Sequence, residues 1–251
     1  MAGRGPNHRD PIRRRPRRPS QAEGFAEHDR WDFAGTLPEQ YPLLLHFPYF
    51  DLYRKQVVKQ ADLVLAMHAR GDAFTAEQKA RNFAYYEALT VRDSSLSACT
   101  QAVLAAEVGH LELAYDYLAE AALLDLDDLE HNTRDGLHIA SLAGAWIGAV
   151  AGFGGMRDHD GILSFAPHLP EALARLTFRL CFRGRRLLVE IRHDTASYTL
   201  LEGEPLEIVH HGEKATVERR RSLRRPLPAA PDREVPTQPA GRTPARRRPL
   251  R

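Results

Sequence analysis

Apolar positions in the first part of the chain recur with a spacing near 3.6 residues, which predicts a series of helices. The first predicted helix ends at Gly71 and the third at Gly109, since glycine commonly follows the last helical turn. The connecting segments alternate between short and longer, as expected for helix hairpins stacked around an axis. Five segments share the pattern: residues 52–71, 76–90, 96–110, 111–126 and 136–155.

After Gly155 the pattern changes to short segments rich in β-branched and aromatic residues, separated by turn residues. This change predicts a small antiparallel β-module over residues 161–217, behind the helices. Strands that follow a run of helices favour two packed subdomains. We therefore predict a mainly α fold, in which helix hairpins over residues 23–160 precede the β-module.

The segment QYPLLLHFPYF, residues 40–50, is apolar and aromatic, and its prolines exclude a regular helix. Two interpretations remain open. The favoured one is an extended strap that covers the helices. The other is a loop that faces a sugar, since aromatic rings stack on pyranose rings.

The formal net charge of +2 conceals a strong asymmetry. Residues 1–22 and 218–251 are rich in arginine and proline, whereas the region between them is acidic. Segments with so few apolar residues cannot offset their ordering entropy, so both tails are predicted to be disordered. Because no aromatic residue is interleaved with the arginines, binding of nucleic acid is not predicted.

Two further absences in the sequence guide the prediction. The two cysteines, Cys99 and Cys181, lie far apart and without metal-ligand spacing, so no metal site is predicted. The N-terminus carries charges but no apolar core of a signal peptide, which favours a cytoplasmic protein.

The stretch GLHIASLAGAWIGAVAGFGG, residues 136–155, has a glycine at every fourth position from Gly144, a spacing typical of membrane helix dimers. The apolar run from Leu137 to Phe153 lies at the short edge of what spans a bilayer, and it contains a histidine. We therefore predict a buried helix rather than a membrane anchor. Small side chains at these positions let neighbouring helices approach closely.

Three polar clusters are candidates for chemistry. In VVKQAD, Lys59 and Gln60 lie within a predicted helix, where a lysine either extends to solvent or binds something. In TVRDSSLS, Ser94 either caps the next helix or forms an anion or sugar site with Arg92. In GLHIAS, His138 lies one turn from a serine at a helix start, where the helix dipole favours an anion; a lone histidine there is more often a core residue.

These motifs occur together with longer runs: FPYFDLYRKQVVKQADLVLAM, FAYYEALTVRDSSLS, DLDDLEHNTRDGLHIASLAGAWIGAVAGFGGM and LSFAPHLPEALARLTFRL. Jointly, over residues 25–217, they resemble glycoside hydrolase family 65. That family contains maltose, kojibiose and trehalose phosphorylases and phosphate-dependent trehalases. The resemblance implies an N-terminal β-sandwich, an (α/α)6 catalytic barrel and a C-terminal β-sheet domain, of which this chain would hold the later barrel helices and the sheet domain.

The resemblance also implies a chemistry. Family members cleave α-glucosyl disaccharides with inversion: a carboxylic acid protonates the leaving oxygen while phosphate, or activated water, attacks from the opposite face. Phosphate is then a co-substrate or activator, and no other cofactor is implied. By this resemblance Lys59 and Gln60 contact the glucosyl unit. Phosphate contacts are implied for the remaining motif residues: Arg92, Ser94, His138 and Ser141.

Two departures limit what the resemblance implies. Many phosphorylases of the family have histidine where this chain has Arg92, which leaves the choice between phosphorolysis and hydrolysis open. The family's general-acid glutamate lies in a GPDEY-type motif, and nothing similar precedes FPYF here. We therefore expect no catalytic residue within this chain. It is either an incomplete enzyme that acts as a homodimer or with a complementing N-terminal chain, or an inactive remnant that binds sugar or phosphate.

Overall fold

A computed structural model of the chain describes residues 20–244. Of the tails predicted to be disordered, 1–22 and 218–251, residues 1–19 and 245–251 lie outside this range. The described residues form helices followed by strands, in the predicted order. A six-residue π-helix, Gly148–Phe153, continues the last α-helix. The helices are α1 Leu43–His46, α2 Tyr49–Leu52, α3 Asp62–Ala69, α4 Ala76–Glu87, α5 Ser97–Val108, α6 Leu111–Leu123 and α7 Ile139–Ile147.

The helices predicted over residues 76–90, 96–110 and 111–126 are confirmed as α4, α5 and α6. Thr75 begins α4 with a capping box: its hydroxyl accepts the Gln78 amide at 3.2 Å, and the Gln78 side chain accepts the Thr75 amide at 2.8 Å. Gly109 ends α5 with a φ of 101°. Because α6 starts two residues later, α5 and α6 pack as a hairpin. Closure of a full six-hairpin barrel stays a prediction.

The single helix predicted over residues 52–71 is wrong. The chain makes one turn as α2, crosses residues 55–60 without helix, and becomes helical again only as α3. The reason is a pairing with the segment after α4. Val58 donates its amide to the Leu89 carbonyl at 2.9 Å and accepts the Val91 amide at 2.8 Å. These bonds tie the Val58 backbone to a distant segment and override the local helical pattern.

The predicted strap over residues 40–50 is neither extended nor a regular helix. Proline at positions 42 and 48 precedes two separate single turns, α1 and α2. Leu43 and Leu52 are buried in a small cluster with Val91, while Tyr49 and Phe50 are exposed. The segment therefore packs against the stretch after α4 through Val91 and also presents aromatic rings outward.

Glycine at position 144 lets α7 pack closely against α5. A Cβ added there would lie 2.5 Å from the Cβ and 2.8 Å from the Sγ of Cys99 on α5. A Cβ at Gly148 would lie 3.0 Å from Leu118 on α6. The spacing that suggested a membrane helix thus serves close packing, as predicted. Within the described residues, every helix is too short or too polar to cross a membrane.

We expect Gly144→Ala to lower the free energy of unfolding by about 1–3 kcal/mol, because the added methyl group overpacks the contact with Cys99. Urea unfolding followed by circular dichroism measures this change. Ala143→Ser, at an exposed position of α7, is the control and should change stability by less than about 0.5 kcal/mol. A gain in stability, as helix propensity alone would give, contradicts the packing argument.

The strands are β1 Asp29–Arg30, β2 Lys55–Gln56, β3 Ser164–Phe165, β4 Leu176–Phe182, β5 Arg185–Ile191, β6 Thr195–Glu202, β7 Leu206–His210, β8 Glu213–Val217 and β9 Leu223–Pro226. The β-module contains two sheets, and a short parallel pair of β1 and β2 lies apart from it among the helices. One sheet has the order β4–β5–β6–β9 and is antiparallel. The other has the order β3–β7–β8, in which β3 pairs with β7 in parallel, unlike the all-antiparallel prediction.

Helices and β-module share one hydrophobic core. Phe83 of α4, Phe153 of the π-helix and Val189 of β5 belong to the same cluster of buried side chains. Phe165 and Tyr198 link the two sheets, with ring centroids 5.0 Å apart. Burial of these apolar side chains is the main contribution that joins both parts of the molecule.

The disorder predicted for residues 218–251 is wrong for residues 218–244. Residues 223–226 form β9, which pairs with β6 from Thr195↔Pro226 to Tyr198↔Leu223. The chain then runs back along the helices: the Pro231 carbonyl would lie 2.1 Å from a Cβ at Gly109. The prediction from composition was wrong here because pairing with β6 and a few buried contacts offset the entropy cost of ordering the segment.

One face of α7 is apolar and exposed. Ile139 is 67% and Trp146 is 53% exposed. Leu142 and Ile147 lie on the same helix and are also exposed. Contiguous apolar surface of this kind is typical of a site that packs against other protein.

Candidate functional site

Lys59 and Gln60 lie in the loop before α3, not inside a helix as predicted. Both line a cavity of about 340 Å³, whose wall includes Tyr49 and Tyr53 from the FPYF region. The centroids of these two rings lie 5.0 Å apart, and the ring planes are tilted by 39°. The cavity therefore combines a lysine, an amide and aromatic faces, which are the groups that hold a polar ligand with apolar ring surfaces.

Ser94 lies beside this cavity through its contact with Gln60. Its hydroxyl donates to the Gln60 side-chain oxygen at 3.0 Å, and the Gln60 amide donates to Asp62 at 3.1 Å. The alternative role, a helix cap, is not what Ser94 mainly does. The N-cap of α5 is Leu96, without a side-chain cap, and the Ser94 hydroxyl is 3.4 Å from the Leu96 amide.

Asp93 is a buried carboxylate on the cavity wall, with its side chain 1% exposed. One oxygen accepts the Leu43 amide at 2.7 Å, and the other accepts from the Arg242 guanidinium at 2.9 Å. Burial raises the pKa of Asp93, and these two donors and nearby Lys59 counteract that rise. Because both oxygens accept hydrogen bonds, Asp93 is held as an acceptor rather than as a proton donor.

Arg92 is buried, with 8% of its surface exposed, and has a positive φ of 57°. Its Nη1 donates to Glu120, while Nε and Nη2 donate to the Arg242 backbone carbonyl at 3.0 and 2.6 Å. Burial lowers the pKa of Arg92, but the Glu120 carboxylate outweighs it and keeps the pKa above its ordinary value. The predicted anion-binding side chain is thus charged and engaged by the chain's own groups.

Behind Arg92 lies a second buried carboxyl group, Glu87. Tyr117 donates to one of its oxygens and Gln101 to the other, the latter at 2.7 Å. Gln238, from the segment predicted to be disordered, also donates to Glu87 at 3.0 Å. Burial raises the pKa of Glu87, and these three hydrogen bonds counteract the rise. The sequence analysis assigned no role to this network.

His138 lies at the N-cap of α7 and is fixed by Asp125, near the C-terminal end of α6. Asp125 accepts the His138 backbone amide at 2.9 Å and contacts its Nδ1 at 2.6 Å. The hydrogen bond from His138 lowers the pKa of Asp125. A carboxylate on Nδ1 sets the tautomer that leaves Nε2 as the nitrogen for a ligand.

Ser141 is fully buried and donates to the Ala121 carbonyl at 3.1 Å, so its hydroxyl faces α6. It lies on the same side of α7 as His138, as predicted, but neither residue lines the cavity that holds Gln60. Glu130 lies within electrostatic range of both Arg242 and His138, which connects the α7 start to the Arg92 region.

The structure therefore brings the predicted residues together only in part. The KQ and RDSS motifs meet directly, because Val58 and Val91 pair and carry Gln60 to Ser94. The histidine and serine of GLHIAS form a neighbouring group. Sequence reasoning missed three partners that hold the candidates: Glu120, Asp125 and Arg242. No spacing rule could have found them, since each lies on another element.

Comparison with known proteins identifies the family. Residues 17–147 match the glycosyl hydrolase family 65 central catalytic domain, and residues 156–217 match the C-terminal domain of the same family. The chain belongs to glycosyl hydrolase family 65, as the resemblance implied.

Relatives with longer chains share this sequence. An uncharacterised glycosyl hydrolase of Mycobacterium leprae is 56% identical over 91% of this chain and 29% of its own length. The α,α-trehalose phosphorylase of Thermoanaerobacter brockii is 42% identical over 79% of this chain and 26% of its own. This chain thus spans less than a third of these relatives. The match to the Mycobacterium leprae protein covers 91% of this chain, which is a larger share than residues 23–217 comprise. Part of the arginine- and proline-rich tails is therefore shared with that protein.

A solved structure supports the same fold. A protein from the human microbiome, provisionally assigned as a kojibiose phosphorylase, superposes with a TM-score of 0.76 at 29% identity. The match covers 82% of this chain and 30% of that chain. The arrangement of helices and β-module is therefore that of part of a larger family member.

Proposed function

We propose that this chain carries the glucosyl- and phosphate-binding part of an inverting enzyme that acts on α-glucosyl disaccharides of the trehalose or maltose type. The observation that carries the proposal is the meeting of Lys59 and Gln60 with Ser94 at one cavity of about 340 Å³ in a family 65 chain. Relatives named as trehalose, maltose and kojibiose phosphorylases support the substrate class.

In this proposal the cavity takes the glucosyl unit. The Gln60 amide and the Lys59 ammonium donate to sugar hydroxyls, and Asp93 holds the start of α1 at the cavity wall through the Leu43 amide. Phosphate, as co-substrate or activator, lies between Arg92 and His138, with Ser94 and Ser141 on either side. Cationic and hydroxyl donors would hold it in line with the glucosidic bond, because positioning supplies much of the rate.

The general acid is proposed to come from another part of the enzyme. The two buried carboxyl groups near the cavity, Asp93 and Glu87, have both oxygens engaged as acceptors. A carboxylic acid that protonates a leaving oxygen must carry its proton toward the substrate. The exposed apolar face of α7 supports the proposal that other barrel helices, from a complementing chain or a second copy, pack there. We place this activity in the cytoplasm.

Because both oxygens of Asp93 and of Glu87 accept hydrogen bonds, neither carboxyl group is placed to donate a proton. This favours a second candidate function, that of a protein that binds sugar or phosphate without turnover. Release of glucose or glucose 1-phosphate from trehalose, maltose and kojibiose, with and without phosphate, separates the two. Binding by calorimetry without product release supports the binding protein. If the chain neither binds these sugars or phosphate nor releases a product, both candidate functions are contradicted.

We expect Gln60→Ala to weaken disaccharide binding about tenfold, because the substitution removes hydrogen bonds in the cavity and frees Ser94. Isothermal titration with trehalose, maltose and kojibiose measures the affinity. Gln40→Ala, which removes a partly exposed amide that does not line the cavity, is the matched control and should bind like the original chain. Equal affinities for both variants would show that the sugar does not contact this loop.

A further inference from the structure

The segment of residues 236–242, here called the C-terminal segment, lies in a groove beside the candidate site. Its prolines Pro236 and Pro239 are buried, and Gln238 reaches the buried carboxyl of Glu87. The segment was predicted to be disordered from its composition, yet it follows a defined path from β9. Its contacts are therefore with specific groups of the helical part, not with a general apolar surface.

Arg242 anchors the end of the segment with its whole side chain. Its Nε donates to the Val91 carbonyl at 2.5 Å, its Nη2 donates to Asp93 at 2.9 Å, and its guanidinium lies 4.6 Å from the centre of the Tyr41 ring. A buried carboxylate, a carbonyl and an aromatic face are the three partners that a planar guanidinium prefers.

The Arg242 backbone carbonyl occupies the edge of Arg92 that an anion would use. It accepts from both Nε and Nη2 of Arg92, at 3.0 and 2.6 Å. This two-nitrogen edge is the one that binds carboxylate and phosphate oxygens in bidentate fashion. A peptide oxygen thus stands where an oxyanion would be bound, and both cannot be there together.

The segment is held mainly by polar contacts, so it can leave without opening the core. Apart from two buried prolines and the contact of Arg242 with the Tyr41 ring, the contacts described for it are hydrogen bonds and one ion pair. Segments of this type open locally at much lower cost than the global unfolding free energy. The apolar cluster beneath it is formed by residues of the helices and strands before it.

We propose that this groove is a docking surface for the chain's own C-terminal segment, and that docking competes with a phosphate-type oxyanion for Arg92. The inference rests on the proposed function, since it takes Arg92 as an anion contact. The docked segment keeps the buried guanidinium satisfied while no anion is present. Anion binding releases the segment, and the released segment is accessible to solvent.

Limited proteolysis of the unmodified chain tests the release. Trypsin cleaves after Arg242 only when the segment leaves the groove, so inorganic phosphate should speed this cleavage several-fold over sodium chloride at equal ionic strength. The chloride control is needed because salt screens the Arg242–Asp93 pair. Cleavage after exposed Arg220 is the internal control and should not change. Equal cleavage after Arg242 in both salts overturns the proposal.

A variant tests the competition in the other direction. Arg242→Ala loosens the segment and should lower the Kd for inorganic phosphate about tenfold in calorimetry, because a larger fraction of the chain is competent to bind. Arg224→Ala, an exposed position in β9 with the same change of charge, should leave the Kd unchanged. Circular dichroism confirms that both variants are folded.

The remaining outcomes separate this proposal from the proposed function. Equal phosphate affinity in the chain and in Arg242→Ala overturns the competition but leaves the phosphate site in place. Weaker affinity in Arg242→Ala would make Arg242 a phosphate contact, which also overturns the competition. If neither protein binds phosphate, the proposed use of phosphate at Arg92 fails, and the competition fails with it.

Discussion

Replacing Glu120 with alanine is expected to lower the free energy of unfolding by about 3–5 kcal/mol, the cost of a buried charge that loses its partner. Arg92 is 8% exposed, and its Nη1 donates to Glu120. Without that carboxylate, the direct contacts described for the guanidinium are a peptide carbonyl and the Tyr117 ring, whose centroid lies 5.5 Å away, and the Glu87 carboxylate acts on it without a direct hydrogen bond. Urea unfolding at neutral pH measures the loss.

Two further variants distinguish a buried-charge effect from simple loss of packing. Arg92→Met in the Glu120→Ala background removes the unpaired charge and should recover much of the loss, because the uncompensated buried charge causes most of the cost of removing one partner of an ion pair. Glu77→Ala removes a carboxylate that lies 4.0 Å from Arg233 at the surface, and should cost less than about 1 kcal/mol. A loss below about 1 kcal/mol for Glu120→Ala contradicts the argument.

The second large effect is a loss of stability between pH 6.5 and pH 4. Burial and neighbouring charges lower the pKa of His68 and of His211 to about 4 in the folded chain, against 6.5 when unfolded. The unfolded chain therefore binds more protons in this range, and stability rises with pH. The contribution of the two neutral rings is complete above pH 6.5 and is lost as the pH falls to 4. Because solvent screens the partly exposed His211, the total is only on the order of a few kcal/mol.

The two histidines have different surroundings. Burial is the largest cause of the lowered pKa of His68, the Arg157 guanidinium is the next, and the Glu107 carboxylate opposes both. Burial is also the largest cause of the lowered pKa of His211. The next causes are His210 and His168, whose ring centroids lie 4.8 and 5.2 Å from that of His211. Protonation of either ring would place a charge in a site that already disfavours it.

Thermal unfolding monitored from pH 7.5 to 4 tests this effect. His211→Asn keeps a residue that tolerates the φ of 45° at this position but does not titrate, so its melting temperature should fall less steeply with pH. His46→Asn replaces an exposed histidine and should follow the original curve. A variant His211→Asn with an unchanged slope would show that this histidine does not control the pH dependence.

Local pattern was sufficient where an element is long and strongly periodic. The helices α4, α5 and α6 follow from the spacing of apolar residues, a capping box at Thr75 and a terminating glycine at Gly109. The strands of the β-module follow from alternation and turn residues for the same reason. These signals lie within a few residues of each other, so the sequence contains them directly.

Prediction failed where contacts between distant segments decide the structure. The helical pattern around Val58 gives way to pairing with Val91, and the polar residues after β9 become ordered through Arg242 and Gln238. Neither partner can be inferred from spacing. The same holds for the site: the motif GLHIAS predicts His138 as a candidate, but Asp125, which contacts it, lies 13 residues earlier, just after α6.

The shared core changes how the C-terminal β-module is to be regarded. Phe178 and Val189 of the sheet and Phe153 of the π-helix belong to one cluster of buried side chains, so the sheet forms a wall of the helical part rather than an appendage. If recombination between relatives exchanged only the β-module, each buried contact between a helical side chain and a strand side chain would keep only one of its two original partners. The helical part and the β-module of this chain are therefore expected to have been inherited together, with their buried side chains changing in concert.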